Sequence, residues 1–507
     1  MAAIAGMQDF RGEGPPGDMG VFQFSYTHLV FIFAFSGVNY YVALNGRTGR
    51  TIISTNCDAL LAAILAANED IYLKPGIYPL TVPLNLTSLI RIWGSHDSIL
   101  TYTGDSYCLH LTGDNIELHG FKVVIVAGAG HAGLRPTNIS CATINYAVIE
   151  RLWLTGDLTV ITDGNPANQE GIYVYVGSYN RYENNYIEKT ILSGLCICRT
   201  NYDKVINNYI SQVTSFGIDL FLSNNIEASS NTIVSPSLNH GFLLSGQYMN
   251  IHNNIIVSPY HNGIAASTAT DSLITDNVIY NPGATGIYLT GSGDNARNVV
   301  SGNIIYNAGQ YGIYTRYSLY SQFSNNHIYT TGRSGFLLEN SSSYNDIKGN
   351  TIIDIDSGNV GYMGIDINSG SYNNIKNNTI TDSQGLGIII RAGNTSNIIK
   401  YNNLLRNADG ALTDLGTTTK INLNEGYITE NRVSATITAL NTSIAFAHGC
   451  SYTPAAGDIH ATLTNLPTTP IGDLYVDTIG AVNATLHCTT PPGAATAIFD
   501  ISIIRTP

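Results

Sequence analysis

Arg316, Glu339, Asp366 and Arg391 are the residues whose types and spacing come nearest to chemistry in this chain. Each stands two or four positions after a glycine of a regular series, so all four share one strand parity and should project from one face. On stacked strands, neighbouring positions lie ~4.8 Å apart and diagonal ones ~7–8 Å. Glu339 and Asp366 are therefore a candidate catalytic acid/base pair across a sugar, their diagonal separation nearer the inverting than the retaining geometry of glycoside hydrolysis. Tyr288 and Tyr314 precede them in the same columns. With Arg316 and Arg391 they form a candidate glycan-binding surface of ring faces and hydrogen-bonding groups. The competing reading is an exposed Arg-Glu-Asp-Arg ladder that keeps like charges apart, each pair contributing ~0–1 kcal/mol. The two widest departures from the regular spacing fall within 291–298 and 354–363, which predicts loops bordering the patch.

A scaffold must hold these side chains in line, and its ruler is written in glycines. Gly171, Gly194, Gly217, Gly241, Gly263, Gly286, Gly312, Gly335, Gly364, Gly387 and Gly410 each open an apolar run, most of them 23 residues apart. A second series keeps a fixed phase to the first: Asn185, Asn208, Asn231, Asn254, Asn277, Asn303, Asn326, Asn350, Asn378 and Asn403. Segments such as Gly286-Ile-Tyr-Leu-Thr and Asn254-Ile-Ile-Val alternate or are β-branched, so each period is a β-coil and not a helical repeat. Coils of this length stack in parallel around a shared apolar core. Ile287 and Leu289 should point inward, Tyr288 and Thr290 outward. The asparagines are expected at the bends, each side-chain amide bonding its counterpart one coil away and satisfying backbone groups the ladder misses. The expected fold is all-β: a single-stranded parallel β-helix over 52–428, right-handed by the crossover rule, of about 15 coils and ~70 Å.

Upstream, Asn115-Ile-Glu-Leu-His-Gly-Phe-Lys-Val-Val and Ile149-Glu-Arg-Leu-Trp-Leu read as less regular coils. Asn56-Cys-Asp-Ala-Leu-Leu-Ala-Ala-Ile-Leu is the one convincing helix, with Asn56 or Asp58 as cap, and should cover the first coil. Asp70-Ile-Tyr-Leu-Lys-Pro-Gly-Ile-Tyr-Pro-Leu follows, and here the chain resembles the opening of the pectate-lyase-like β-helix superfamily over roughly 52–425. In overall layout it is most similar to viral and phage tailspike or tail-fibre-like spikes. The resemblance implies the fold and leaves the chemistry open, because that superfamily holds lyases, hydrolases, epimerases and spikes. The lyase Lys or Arg base beside a cation site, the epimerase Asp-Pro-His element and the hydrolase Asp-Asp motif are all without a clear match, Asp354-Ile-Asp356 being a faint echo of the last.

From residue 429 the ruler stops and short alternating runs punctuated by Pro and Gly predict a small antiparallel β-module, sandwich-like. Its order of Ala447-His-Gly-Cys-Ser-Tyr-Thr-Pro, Leu474-Tyr-Val-Asp and Phe499-Asp-Ile-Ser is similar to a module at the C-termini of viral fibres. Residues 1–51 read as a Gly/Pro-rich attachment arm followed by aromatic strands that end at the turn signal Leu44-Asn-Gly-Arg.

Only 12% of the 507 residues are charged, so the surface must be hydroxyl, amide and tyrosine, which suits sugar contact. A net charge of −13 without a basic patch argues against nucleic acid. Leu29-Val-Phe-Ile-Phe-Ala-Phe is too short to span a bilayer and lacks signal-peptide flanks, which favours a virion component released by lysis. Cys450 and Cys488 are a candidate disulfide, worth ~3–4 kcal/mol. Cys196 and Cys198 read as structural thiols, and His240, His252 and His261 occupy different corner phases, so neither metal nor other cofactor is expected. The function expected is a virion-surface or extracellular spike that binds host glycan, assembles as a homotrimer and joins other virion proteins through its arm. A polysaccharide lyase, hydrolase or epimerase is the first alternative, and a purely structural coat or filament subunit the second.

Overall fold

The computed structural model describes residues 27–104, 106–126, 137–156, 170–291, 295–356, 358, 360–427, 430–438, 441–465, 467, 469–493 and 496–504. The predicted arm at the N-terminus lies outside them. Residues 71–422 wind into a right-handed parallel β-solenoid of about 14 turns, close to the number the ruler predicts. Each coil from Ile71 to Ile390 contributes one short strand to each of three sheets. In one coil the first sheet takes Arg181–Glu183, the second Tyr186–Glu188 and the third Leu195–Cys198. Successive coils pair in parallel without slippage, as in Leu195↔Ile218↔Phe242 and Tyr186↔Tyr209↔Thr232. Ile287 and Leu289 are fully buried, as strand parity requires.

The glycine column has a steric cause. A Cβ on Gly286 would lie 2.6 Å from Ile305 Cγ2 and 2.7 Å from the carbonyl oxygen of Gly312, both in the next coil. The inward isoleucine of the second sheet thus fills the space a side chain would need at the start of the third. Gly410 departs from the ruler. Ile388 pairs with Leu412, so Ala411 holds the column position, and Gly410 sits one residue early at φ +112°. Leu412–Asp414 ends the third sheet, so no further coil crowds that position.

The asparagine ladder forms at the bend between the first and second sheets. Asn185 Nδ2 donates to Asn208 Oδ1 at 2.9 Å, and the pattern repeats through Asn231, Asn254, Asn277, Asn303, Asn326, Asn350 and Asn378. Each Nδ2 also donates to a backbone carbonyl, for example Asn208 to Tyr182 O at 2.8 Å, so buried amide and peptide groups satisfy one another. The ladder's next members are Asn402 and Asn424, at 2.9 and 2.8 Å, and not the expected Asn403. Asn403 is half-exposed and its Oδ1 accepts from Leu405 N. A second polar column, unanticipated from sequence, stitches the turn from the third to the first sheet through Ser272, Asn298, Ser321, Asn345, Asn373 and Asn397.

At the lower end, the helix Cys57–Leu65 packs on the first coils, with Asn56 Oδ1 accepting from Ala59 N at 2.9 Å as its cap. Asp58 instead bonds Thr81. The hairpin His28–Phe35/Val38–Asn45 turns at Ser36-Gly37, and Asn45-Gly46 begins a second turn to Thr51–Ser54. His28–Val30 pairs in parallel with Ile71–Leu73, so the hairpin extends the first sheet.

Beyond residue 430, two three-stranded antiparallel sheets enclose a separate apolar core around Ile437, Leu486, Phe499 and Ile501. The candidate disulfide pair, Cys450 and Cys488, stands as two free thiols. The strand register explains this: Cys488 N bonds Thr442 O, whereas Cys450 follows Ala447, which pairs with Asn483 at the other end of the same strand.

Candidate functional site on the outer face of the third sheet

Parity survives both insertions. Arg316 pairs with Glu339, and Leu337 pairs with Asp366, so the four charged residues do share the outer face of the third sheet. They do not form one acid/base couple. Arg391 grips the buried carboxylate of Asp366 with two hydrogen bonds, Nε to Oδ1 at 2.9 Å and Nη2 to Oδ2 at 2.7 Å. Glu339 Oε2 lies 3.5 Å from Arg316 Nε and accepts from the Tyr314 hydroxyl, while Oε1 accepts from Asn368 Nδ2 at 3.2 Å. Both carboxylate oxygens accept from one guanidinium fork, so Asp366 is built to position Arg391.

Aromatic rings extend this patch. Tyr288 stacks on Tyr314 at 4.9 Å, and Tyr311 tilts against Tyr314 at 5.0 Å. Arg333 stands 5.6 Å from the Tyr311 ring and 5.8 Å from that of Tyr362, which belongs to the 354–363 loop. Burial and the neighbouring Glu339 raise the Tyr314 hydroxyl above its usual range, keeping it a donor. Asp356 anchors the loop: it is fully buried, and its Oδ2 accepts from the backbone N–H groups of Val360, Gly361 and Tyr362 at 2.7, 2.5 and 2.9 Å. The faint hydrolase-like echo at this aspartate is thus a loop staple. Arg333, Tyr311 and Tyr362 lay outside the glycine-offset columns read from sequence. A positive charge next to the lengthened loop was the available signal.

Lower on the same face is a second group. Tyr173, Cys196 and Asp219 occupy one column in consecutive coils. Cys196 Sγ lies 3.6 Å from Cys198 Sγ and 3.9 Å from Asp219 Oδ2, while Asp219 Oδ1 is buried without a partner. Hydrogen bonding between the thiols raises Cys196 and lowers Cys198. Burial pushes the Asp219 carboxyl up to about 7. Glu170, immediately before Gly171, is likewise pushed up to about 7 by burial and receives Thr137 Oγ1 at 3.4 Å. Sequence reading placed Asp219 in its column and overlooked its isolation from cations. Among the described residues, no group of three or more His, Cys, Asp or Glu side chains is arranged to hold a metal ion, and no helix is long and apolar enough to cross a membrane.

Comparison with known proteins agrees with this architecture. No curated protein matches the sequence. Among solved structures, a mutant tailspike protein of E. coli bacteriophage HK620 in complex with pentasaccharide is 11% identical, with TM-score 0.53 over 92% of this chain and 93% of that one. The Dettilon tailspike protein is 15% identical at TM-score 0.43, covering 88% and 90%. The A-module of the Azotobacter vinelandii mannuronan C-5 epimerase AlgE6 is 13% identical at TM-score 0.40, covering 73% and 93%. Residues 147–271 and 240–362 match the family described as "Right handed beta helix region", in agreement with the right-handed parallel β-solenoid that carries both groups.

Proposed function

We propose that this protein is a virion-surface spike that recognises a host-surface glycan along the outer face of its third sheet. The observation that carries the reading is the continuous run of Tyr288, Tyr314, Tyr311, Arg333 and Tyr362, flanked by Arg316 and Glu339. Tyrosine rings offer apolar faces for sugar C–H surfaces, and the guanidinium and carboxylate between them supply directional hydrogen bonds. The fold shared with a tailspike bound to a pentasaccharide supports the same assignment. In this reading the chain is a homotrimer, as expected of a spike, and its N-terminal segment meets other virion proteins; sedimentation of the purified protein tests the first point.

A second reading, cleavage of the bound glycan, is favoured by the burial of Glu170 and Asp219 on this face, which raises both carboxyls to about 7, the range a general acid needs. One experiment separates the two. Purified protein is incubated with host exopolysaccharide while binding, chain length and unsaturated ends are followed. Binding without shortening, weakened by Glu339→Gln with folding intact, supports recognition alone. Shortening that Asp219→Asn abolishes and Glu339→Gln spares makes the protein an enzyme of the lower group. Absence of any binding overturns both.

A further inference from the structure

The turn from the third to the first sheet holds a cavity of about 610 Å³ that lies outside both groups described above. It spans four coils, hence ~14 Å along the solenoid axis. Its lower edge is Leu222 with Asn224, its walls are Ser245, Gln247, Thr268 and Thr270, and Arg297 closes its upper end. The hollow has a visible origin in sequence. Where the lower coils place Tyr175, Cys198 and Phe221 at the fourth position after the ruler glycine, the next three place Ser245, Ser267 and Thr290. Gly246 then turns at φ +141°, where a Cβ would lie 1.9 Å from the carbonyl oxygen of Ser223. Small side chains thus open the groove, with Ala296 and Arg297 at its upper end.

The lining chemistry is selective. It is made of hydroxyls and amides, and its one cation is neutralised: Arg297 donates from Nε and Nη2 to Asp271 at 2.7 Å each. Thr270 is 6% exposed and its hydroxyl has no partner in the protein. A buried hydroxyl without a partner costs ~1–3 kcal/mol, which a hydrogen-bonding ligand or water would recover. Leu222, 47% exposed, presents apolar surface at the lower edge, and Tyr248, 54% exposed, directly follows the lining residue Gln247. Many alcohol-bonding groups, no net charge and an apolar edge suit an uncharged, hydroxyl-rich molecule. An acidic sugar would find no unpaired cation among these lining residues.

We infer that this groove binds an uncharged oligosaccharide segment of about two or three rings, a size its volume accommodates. The inference rests on the reading of this protein as a glycan binder and adds a second, separately located contact of stated chemistry. The test is calorimetric titration of the full chain with uncharged hexose and N-acetylhexosamine tri- to hexasaccharides and with uronic-acid tetramers. Gln247→Trp fills the groove from an exposed position, Tyr248→Ala removes the ring next to it, and Arg316→Ala serves as the probe of the other patch. The expected result is a roughly tenfold or larger loss of affinity for an uncharged oligosaccharide in Gln247→Trp and a smaller loss in Tyr248→Ala. Circular dichroism of both should match the parent. The groove is refuted if both variants bind uncharged oligosaccharides as the parent does while Arg316→Ala loses them, or if the parent takes only uronic-acid tetramers. A parent that binds none of the panel refutes the groove and the broader reading together.

Discussion

Asp219 and Asp366 occupy the same address in the solenoid, two residues after a ruler glycine on the outer face of the third sheet, and are opposite in chemistry. Asp366 has Arg391 one coil above and two positions along, and the pair closes into a bidentate fork. The corresponding residue above Asp219 is Ser245, which supplies no charge. Without a cation, burial outweighs the hydrogen bond from Cys196 and pushes Asp219 up to about 7. Strand parity therefore fixes where a side chain points, and the residue diagonally above fixes what it does.

The sharpest way to break this contrast is to remove the cation. Arg391→Leu should leave Asp366 buried and unpaired, costing ~3 kcal/mol. Chemical denaturation of the variant against the parent measures it.

Asp219→Asn works in the reverse direction. A carboxyl whose folded-state pKa is raised binds more protons folded than unfolded, so its contribution is fully present below ~4 and is lost as pH rises through about 7. The variant should therefore match the parent near pH 4 and exceed it by ~2 kcal/mol at pH 8. A melting-temperature series across that window reads the crossover.

Ser245→Arg would rebuild the upper fork around the lower aspartate. It should bring the Asp219 carboxyl back toward the ordinary range and flatten the same pH series by ~1 kcal/mol. A series identical to that of the parent would mean the diagonal neighbour does not set the protonation. Glu339→Gln should move stability least, by under ~0.5 kcal/mol, because the carboxylate is partly exposed. Its effect is expected in glycan affinity.

The architecture was legible because it is steric and periodic. Gly286 must be glycine to admit Ile305, and Asn208 must be asparagine to reach both Asn231 and Tyr182 O. Such requirements recur through the coils between Gly171 and Gly387 and show as spacing. Errors came where the period ends: Gly410 and Asn403 each resemble their columns, yet the last coil gives those places to Ala411 and Asn402. The second polar column was missed because Ser and Asn share it, hiding it from a search by residue type. Of the patch, parity and position were readable from Arg316, Glu339, Asp366 and Arg391. The ladder reading anticipated ion pairs, whereas the Arg391 fork on Asp366 was not legible, since it crosses between coils diagonally. Tyr362 and Asp356 depend on the path of an irregular loop, which no period encodes.

The most direct measurement is a crystal structure of the protein soaked with the tightest-binding oligosaccharide of the host glycan. The account predicts a sugar ring over Tyr288 or Tyr314, with hydroxyls within hydrogen-bond distance of Arg316 and Glu339. Sugar bound on the first or second sheet, or on the C-terminal module, with the third sheet's outer face bare, would contradict it.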